Sequence, residues 1–249
     1  MANIRLVALD MDGTLLNDRQ EVSPRNAAAI RRALDAGVIV CFATGRGVQN
    51  VLPYAEQLGM STPMITVNGG EIWHRPHDLY KRTAMDAADV LRLRRLALDH
   101  GVWYWAYATD GVYNRERWVE PEEDVQRKVW LKFGYYEENV RLLEQIRATA
   151  ESWGGFEISN SSPVNIELNP SGVSKGAALL ELCRLLGIDP SETAAAGDSL
   201  NDLSMIRAAG LGAAMGGAQQ AVKEAAGIVL PGNNEDGIAH LIEQYVLGG

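Results

Sequence analysis

Two aspartates separated by a single residue, in Asp10-Met11-Asp12-Gly13-Thr14-Leu15, directly follow the apolar run Leu6-Val7-Ala8-Leu9. Residues two apart on an extended strand point to the same side. Both carboxylates therefore emerge together at the end of a strand apolar enough to be buried, and Gly13 lets the backbone turn sharply past them. Two like charges this close repel, so a cation or a shared proton has to hold them there. With a magnesium ion and an electrophilic substrate, one carboxylate could attack while the other moves protons. Alone, the stretch also fits an aspartate-rich turn after a strand. The rest of the chain decides against that.

Three further pieces stand in comparable places. Thr44-Gly45-Arg46 ends a second apolar run at residues 38–43, and Gly197-Asp198-Ser199-Leu200-Asn201-Asp202 follows a run of small residues at 193–196. Lys175 lies in the first turn of an expected helix capped by Ser174. In open parallel sheets, ligands bind beyond the carboxyl ends of the strands, which gathers three of the four pieces into one crevice. A helix start also offers free backbone donors to an anion, and a lysine there opposes the helix dipole, which points to function. Plainer readings exist for each piece alone. Thr44-Gly45 fits an ordinary strand exit, Asp198 and Asp202 a helix cap and a solvated acid, Arg46 a structural or rim residue, and Asn68 a turn. His74 and His77 lack an evident third ligand, so surface histidines are favoured. Trp103, Trp105, Tyr107 and Tyr113 fit the core of a second domain as well as they fit substrate contacts.

The elements that must position these residues alternate. After the first strand, Ser23 and Pro24 open a helix that stops at Gly37. Strands follow at residues 38–43 and 64–67, the latter closed by Asn68-Gly69, a hairpin signal. The pattern returns with a helix from Ser174 to Leu186, strands at 193–196, 211–215 and 228–230, a helix at 203–209 and a last helix at 235–247. Continuous apolar strands alternating with helices indicate a parallel sheet covered on both faces. Between residues 82 and 170 the texture changes, with 12 of the chain's 17 aromatic residues. Strands are expected there at 102–108, 156–160 and 164–168, and helices at 86–100 and 137–152. The expected organisation is an α/β protein with a parallel Rossmann-like sheet core (1–81 and 171–249) and an inserted α+β cap domain (82–170).

At 249 residues with a formal charge of -9, the chain offers no basic stripe for nucleic acid. An anionic substrate must therefore find a local positive site. Cys41 and Cys183 form neither a disulfide framework nor a metal spacing and read as small buried hydrophobes. No run approaches a membrane span, and no charged-then-apolar leader opens the sequence, so a cytoplasmic home without membrane association is expected.

This set of motifs, in this order, resembles the haloacid dehalogenase-like hydrolases, specifically their Cof-type sugar-phosphatase branch with a large inserted cap. The resemblance extends through Gly172-Val173-Ser174-Lys175-Gly176, residues 197–205 and Asn234-Glu235-Asp236-Gly237. It implies a Mg2+-dependent phosphatase acting on a small phosphorylated metabolite, a sugar phosphate being favoured. Asp10 would attack phosphorus to form an aspartyl-phosphate, while Asp12 would protonate the leaving oxygen and then activate water. Metal would be held by Asp10, the Asp12 backbone carbonyl and Asp198, with Asp202 as a ligand or orienting residue. Thr44, Lys175, Asn201 and the Met11 amide would hold the phosphoryl oxygens, with Gly45 and Arg46 beside them. Many parts are needed, since phosphate-monoester hydrolysis can require acceleration of about 10²¹-fold, of which general acid–base catalysis supplies only about 10²–10⁴-fold. The sequence departs from the family at Gly217, where relatives carry Asn, and in a shorter inserted domain. Other readings are a phosphosugar mutase and a non-catalytic metabolite-binding protein of the same fold, and the sequence leaves monomer and homodimer equally open.

Overall fold

The computed structural model describes residues 3–248. It starts with β1 (Leu6–Leu9), α1 (Pro24–Asp35), β2 (Ile39–Ala43), α2 (Leu52–Leu58), β3 (Met64–Thr66), β4 (Glu71–Arg75) and β5 (Asp78–Arg82). The helix α1 begins where the sequence predicts, with the Ser23 hydroxyl accepting from the Asn26 amide and Pro24 at the first position. The chain continues through α3 (Ala87–His100), β6 (Trp103–Ala108), β7 (Gly111–Asn114), α4 (Glu122–Arg127), β8 (Trp130–Tyr136), α5 (Val140–Trp153), β9 (Phe156–Ser159) and β10 (Asn165–Pro170). It ends with α6 (Lys175–Leu186), β11 (Thr193–Gly197), α7 (Leu203–Ala208), β12 (Leu211–Ala214), α8 (Gln220–Ala225), β13 (Ile228–Val229) and α9 (Gly237–Leu241). Two compact units result, one from the segments up to Lys81 and from Ser174 onward, the other from Arg82–Val173.

In the first unit an eight-stranded sheet has the order β13-β12-β11-β1-β2-β3-β4-β5. Strands β13 to β3 are parallel, and β4 turns back antiparallel to β3. Alternate residues of the buried strands feed two apolar layers, as the two-residue period requires. Leu6, Ala8, Cys41 and Ala195 join Leu179 and Leu182 of α6, whereas Val7, Leu9, Val40 and Ala196 join Ile30 and Ala33 of α1. Both cysteines are buried free thiols, and burial pushes Cys41 up to about 12. Among the described residues, no helix is long and apolar enough to cross a membrane.

The second unit is a five-stranded antiparallel sheet, β7-β6-β8-β10-β9. One face packs Tyr104, Phe133, Tyr135, Ile166 and Leu168 against Leu93 and Ala97 of α3 and Leu143 and Ile146 of α5. Its rings stack, Tyr104 on Phe133 at 5.7 Å and Trp118 on Trp130 at 5.6 Å. Tyr113 meets Trp130 edge-on and belongs to this core. Trp103, Trp105 and Tyr107 alternate with the buried Tyr104, Ala106 and Ala108 along β6. Next to them a buried Lys132 lies 3.3 Å from Glu167 and 4.8 Å from the Tyr107 ring centre.

Some expected boundaries shift for local reasons. Asn139 caps the amide of Leu142, so α5 starts at Val140 and not at 137. The last helix starts only at Gly237, because Asp236 has left-handed backbone angles, and it continues as a π-helical turn, Ile242–Val246. Strands β5, β7 and β8 and helices α2, α4 and α8 are additions to the expected elements.

Helices α6 and α7 approach so closely that a β-carbon on Gly176 would lie 2.5 Å from the Ser204 carbonyl. Helix propensity favours alanine over glycine by about 1 kcal/mol, but overpacking against backbone costs typically 1–3 kcal/mol. Gly176→Ala is therefore expected to lose up to about 2 kcal/mol in urea unfolding. A stabilised variant would show that the two helices are not tightly apposed.

Candidate active site

The end of β1, the loop after β2, the start of α6 and the turn after β11 meet at the carboxyl edge of the parallel sheet. Asp10 is bound into that edge by its amide, which donates to the Ala196 carbonyl at 3.0 Å. Met11, fully buried, accepts at its carbonyl from the Leu16 amide at 2.8 Å and so shapes the loop behind the two aspartates. Gly13 turns that loop at φ 73, and a β-carbon there would come within 2.7 Å of the Asp198 carboxylate. Thr44 is tied to β3 through the Ile65 carbonyl, and its own carbonyl accepts from the Asn68 amide, both at 2.9 Å. Its hydroxyl oxygen accepts from the Arg46 amide at 3.1 Å, which leaves the hydroxyl proton available to another acceptor. Gly45 is the half-buried link between them.

At the centre is Lys175, fully buried, with Nζ 2.7 Å from Asp10 Oδ1 and 2.6 Å from Asp202 Oδ1. The second oxygen of Asp202 accepts from the amides of Asp198 and Ser199, at 2.9 and 3.0 Å. Asp202 thus fixes the turn that carries Asp198 and the ammonium that faces Asp10. The Ser199 hydroxyl donates to Asp198 at 2.9 Å, and Asn201 donates to the Asn68 side chain at 3.3 Å. Asp10, Asp198 and Asp202 each bring an oxygen within 4.8 Å of the others. Among the described residues this is the group that could hold a metal ion. His74 and His77 are exposed and not part of such a group.

Three carboxylates against one ammonium leave two negative charges, which matches a divalent cation, and an all-oxygen donor set suits a hard one. The titration behaviour agrees. Burial, followed by the Asp202 charge, pushes Asp10 well above the ordinary carboxylate range despite Lys175. The same two causes push Asp198 up to about 6. Burial by itself would lower Lys175, but Asp10 and Asp202 outweigh it and hold the ammonium above its usual range.

The carboxylate of Asp12 goes elsewhere. It is half exposed and taken by Arg46, with Nε at 2.7 Å from Oδ2 and Nη2 at 2.5 Å from Oδ1. Arg46, expected beside the substrate, therefore spends its two-pronged donor on Asp12. Gln20 and Tyr54 hold that guanidinium in turn. Neither they nor Ser199 could be picked out from sequence, because the first two act across long separations and a serine after Asp198 reads as an ordinary turn residue.

The chain is also similar to known proteins. The model of the haloacid dehalogenase-like hydrolase family matches residues 7–139 and 114–242. The chain is 41% identical to the 5-amino-6-(5-phospho-D-ribitylamino)uracil phosphatase YcsE of Bacillus subtilis (strain 168), over 98% of this chain and 97% of that protein. It is 29% identical to the pyridoxal phosphate phosphatase YbhA of Escherichia coli (strain K12), over 98% and 99%. A solved haloacid dehalogenase-like hydrolase from B. subtilis superposes with a TM-score of 0.89 at 27% identity, covering 97% of this chain and all of the other.

Two outcomes test the site. Lys175→Met removes one partner of a buried ionic cluster and is expected to cost about 3–5 kcal/mol in chemical denaturation; a loss below 1 kcal/mol would mean the cluster is well solvated. For Asp198, a folded value near 6 against an ordinary 3.8 means the folded state binds more protons than the unfolded state between those limits. Its contribution therefore falls as pH rises through that window, by roughly 3 kcal/mol at most. Chelator-treated protein should be stabilised by Asp198→Asn more at pH 7 than at pH 4, read as melting temperatures, and added divalent cation should cancel the difference.

Proposed function

The chain belongs to the haloacid dehalogenase-like hydrolase family, and from that premise we propose that it is a phosphatase of a small phosphorylated metabolite, working through an aspartyl-phosphate on Asp10. The observation that carries this reading is the buried Asp10–Lys175–Asp202 array at the sheet's carboxyl edge. It presents one fixed carboxylate beside a permanent cation, as attack on a phosphate ester requires.

Asp10 attacks phosphorus, held in direction by the backbone bond at the end of β1 and by Lys175. Lys175 also supplies positive charge to the phosphoryl oxygens, with the Thr44 hydroxyl, the Asn201 amide and the Met11 amide as further donors. Asp12 protonates the departing oxygen and afterwards takes a proton from the attacking water. Mg2+ would be held by the carboxylates of Asp10 and Asp198, with the Asp12 backbone carbonyl that the family resemblance implies, and would supply positive charge to the transferring group. Asp202 acts through Lys175 and the Asp198 amide, its oxygens already engaged by three donors. Free, buried thiols at Cys41 and Cys183 fit a reducing, cytoplasmic setting.

The substrate's remainder follows the names of the relatives. A phosphorylated ribitylaminouracil is the first compound to try, with pyridoxal phosphate and sugar phosphates beside it. Phosphate release is expected to require Mg2+ and to fall at least about 10³-fold in Asp10→Asn. Metabolite binding without release, across such a panel, would remove the phosphatase reading in favour of a non-catalytic binding protein. Transfer of phosphate between positions of one sugar without net release would favour a mutase.

A further inference from the structure

Beyond the buried array lies a second assembly whose charged client is Asp12. Both carboxylate oxygens of Asp12 accept from the Arg46 guanidinium, at 2.7 and 2.5 Å. The same guanidinium donates to the Gln20 side-chain oxygen and lies 5.5 Å from the centre of the Tyr54 ring. The Tyr54 hydroxyl donates to the Gln20 carbonyl at 3.0 Å, which closes the circuit. Gln20 itself sits at φ 60, a left-handed conformation that costs a residue of its type, and is held there by the Asn17 carbonyl at 2.9 Å. The Arg46 amide is fixed independently on Thr44. An isolated surface ion pair contributes little. A planar fork gripping both oxygens, however, fixes the orientation of a carboxylate as well as its distance. Residues from three segments hold this one guanidinium in place.

We infer that Arg46, braced by Gln20 and Tyr54, is a positioning residue for Asp12 and not a phosphate ligand. This rests on the phosphatase reading above. In the step concerned, a bond forms between an Asp10 oxygen and phosphorus while the ester phosphorus–oxygen bond breaks. Asp12, an anion while the fork grips both its oxygens, first takes up a proton from solvent and passes it to the departing oxygen. In the second half, water bonds phosphorus and releases Asp10, and its proton returns to Asp12. A misplaced Asp12 therefore harms the first half in proportion to the leaving oxygen's need for a proton. An alkoxide needs it, and a nitrophenolate does not.

The test measures leaving-group release in the first turnover by rapid quench, for an alkyl phosphate from the panel and for p-nitrophenyl phosphate. Wild type is compared with Arg46→Met, Arg46→Lys and Tyr54→Phe. Arg46→Met should slow the alkyl ester at least about tenfold more than the aryl ester, within the 10²–10⁴-fold that a general acid supplies. Arg46→Lys, a point charge without the fork, should recover part of that difference. Equal slowing of both esters would reduce Arg46 to a structural role. A raised KM for both with the first-turnover rate kept would make it a phosphate ligand. Either result overturns the inference. If melting shows that Arg46→Met does not fold, Tyr54→Phe decides, because it keeps the ring and loses only the hydroxyl; it should show the same selectivity at smaller size. Wild-type protein inert towards both esters would instead remove the phosphatase reading itself.

Discussion

A lysine ammonium with no access to water, set between two carboxylates, is the constraint on which the rest of the first unit turns. A charge so placed is tolerable only when its partners are held close and in good geometry. That requirement reaches into every segment of the site. It draws the end of β1 and the turn after β11 onto the first turn of α6, and it makes Asp202 bond two amides of its own turn so that its other oxygen faces the ammonium. The close crossing of α6 and α7, with Gly176 against Ser204, brings the two helices near enough for this. On the proposed reading, chemistry and stability are therefore joined in one cluster, and Asp10 cannot be moved without disturbing a buried ion pair.

Charge is partitioned sharply across a short distance. Asp10 is buried, raised in its titration and neighbour to a cation, while Asp12, two residues on, is half exposed and bound to an arginine. Both follow directly on the end of β1 at the same edge of the sheet, but they meet different surroundings there, Lys175 for Asp10 and Arg46 for Asp12. One carboxylate kept still and another kept near solvent is the division of labour that attack and proton transfer require. It arises here from backbone geometry and from which cation each acid meets.

Much of this was legible in the sequence where local rules govern. Strand β1, the caps at Ser23 and Ser174 and the left-handed turn at Asn68 follow from patterning and short-range hydrogen bonding. The family resemblance was carried instead by the set and order of the motifs, and the family match and the relatives support it. What was not legible depends on tertiary context. Strand β8 has Lys132 and Gly134 at places that break any apolar pattern. The lysine is buried because Glu167 of a neighbouring strand meets it, and the glycine is needed because the Trp105 indole lies where a β-carbon would be, 2.3 Å away. Likewise, nothing near Gln20 or Tyr54 in sequence announces that both serve Arg46.

The Lys132–Glu167 pair has a consequence for how the second unit assembles. Side chains on a strand alternate between faces, so a slip of β8 by one residue against its neighbours would carry Lys132 to the side occupied by Tyr104 and Leu168 and part it from Glu167. Ions stranded among stacked rings are far costlier than ions paired with each other. A misaligned sheet is thus penalised by much more than its lost packing, and the pair acts as a ratchet on strand alignment: it adds little to the depth of the correct well and much to the height of the wrong ones.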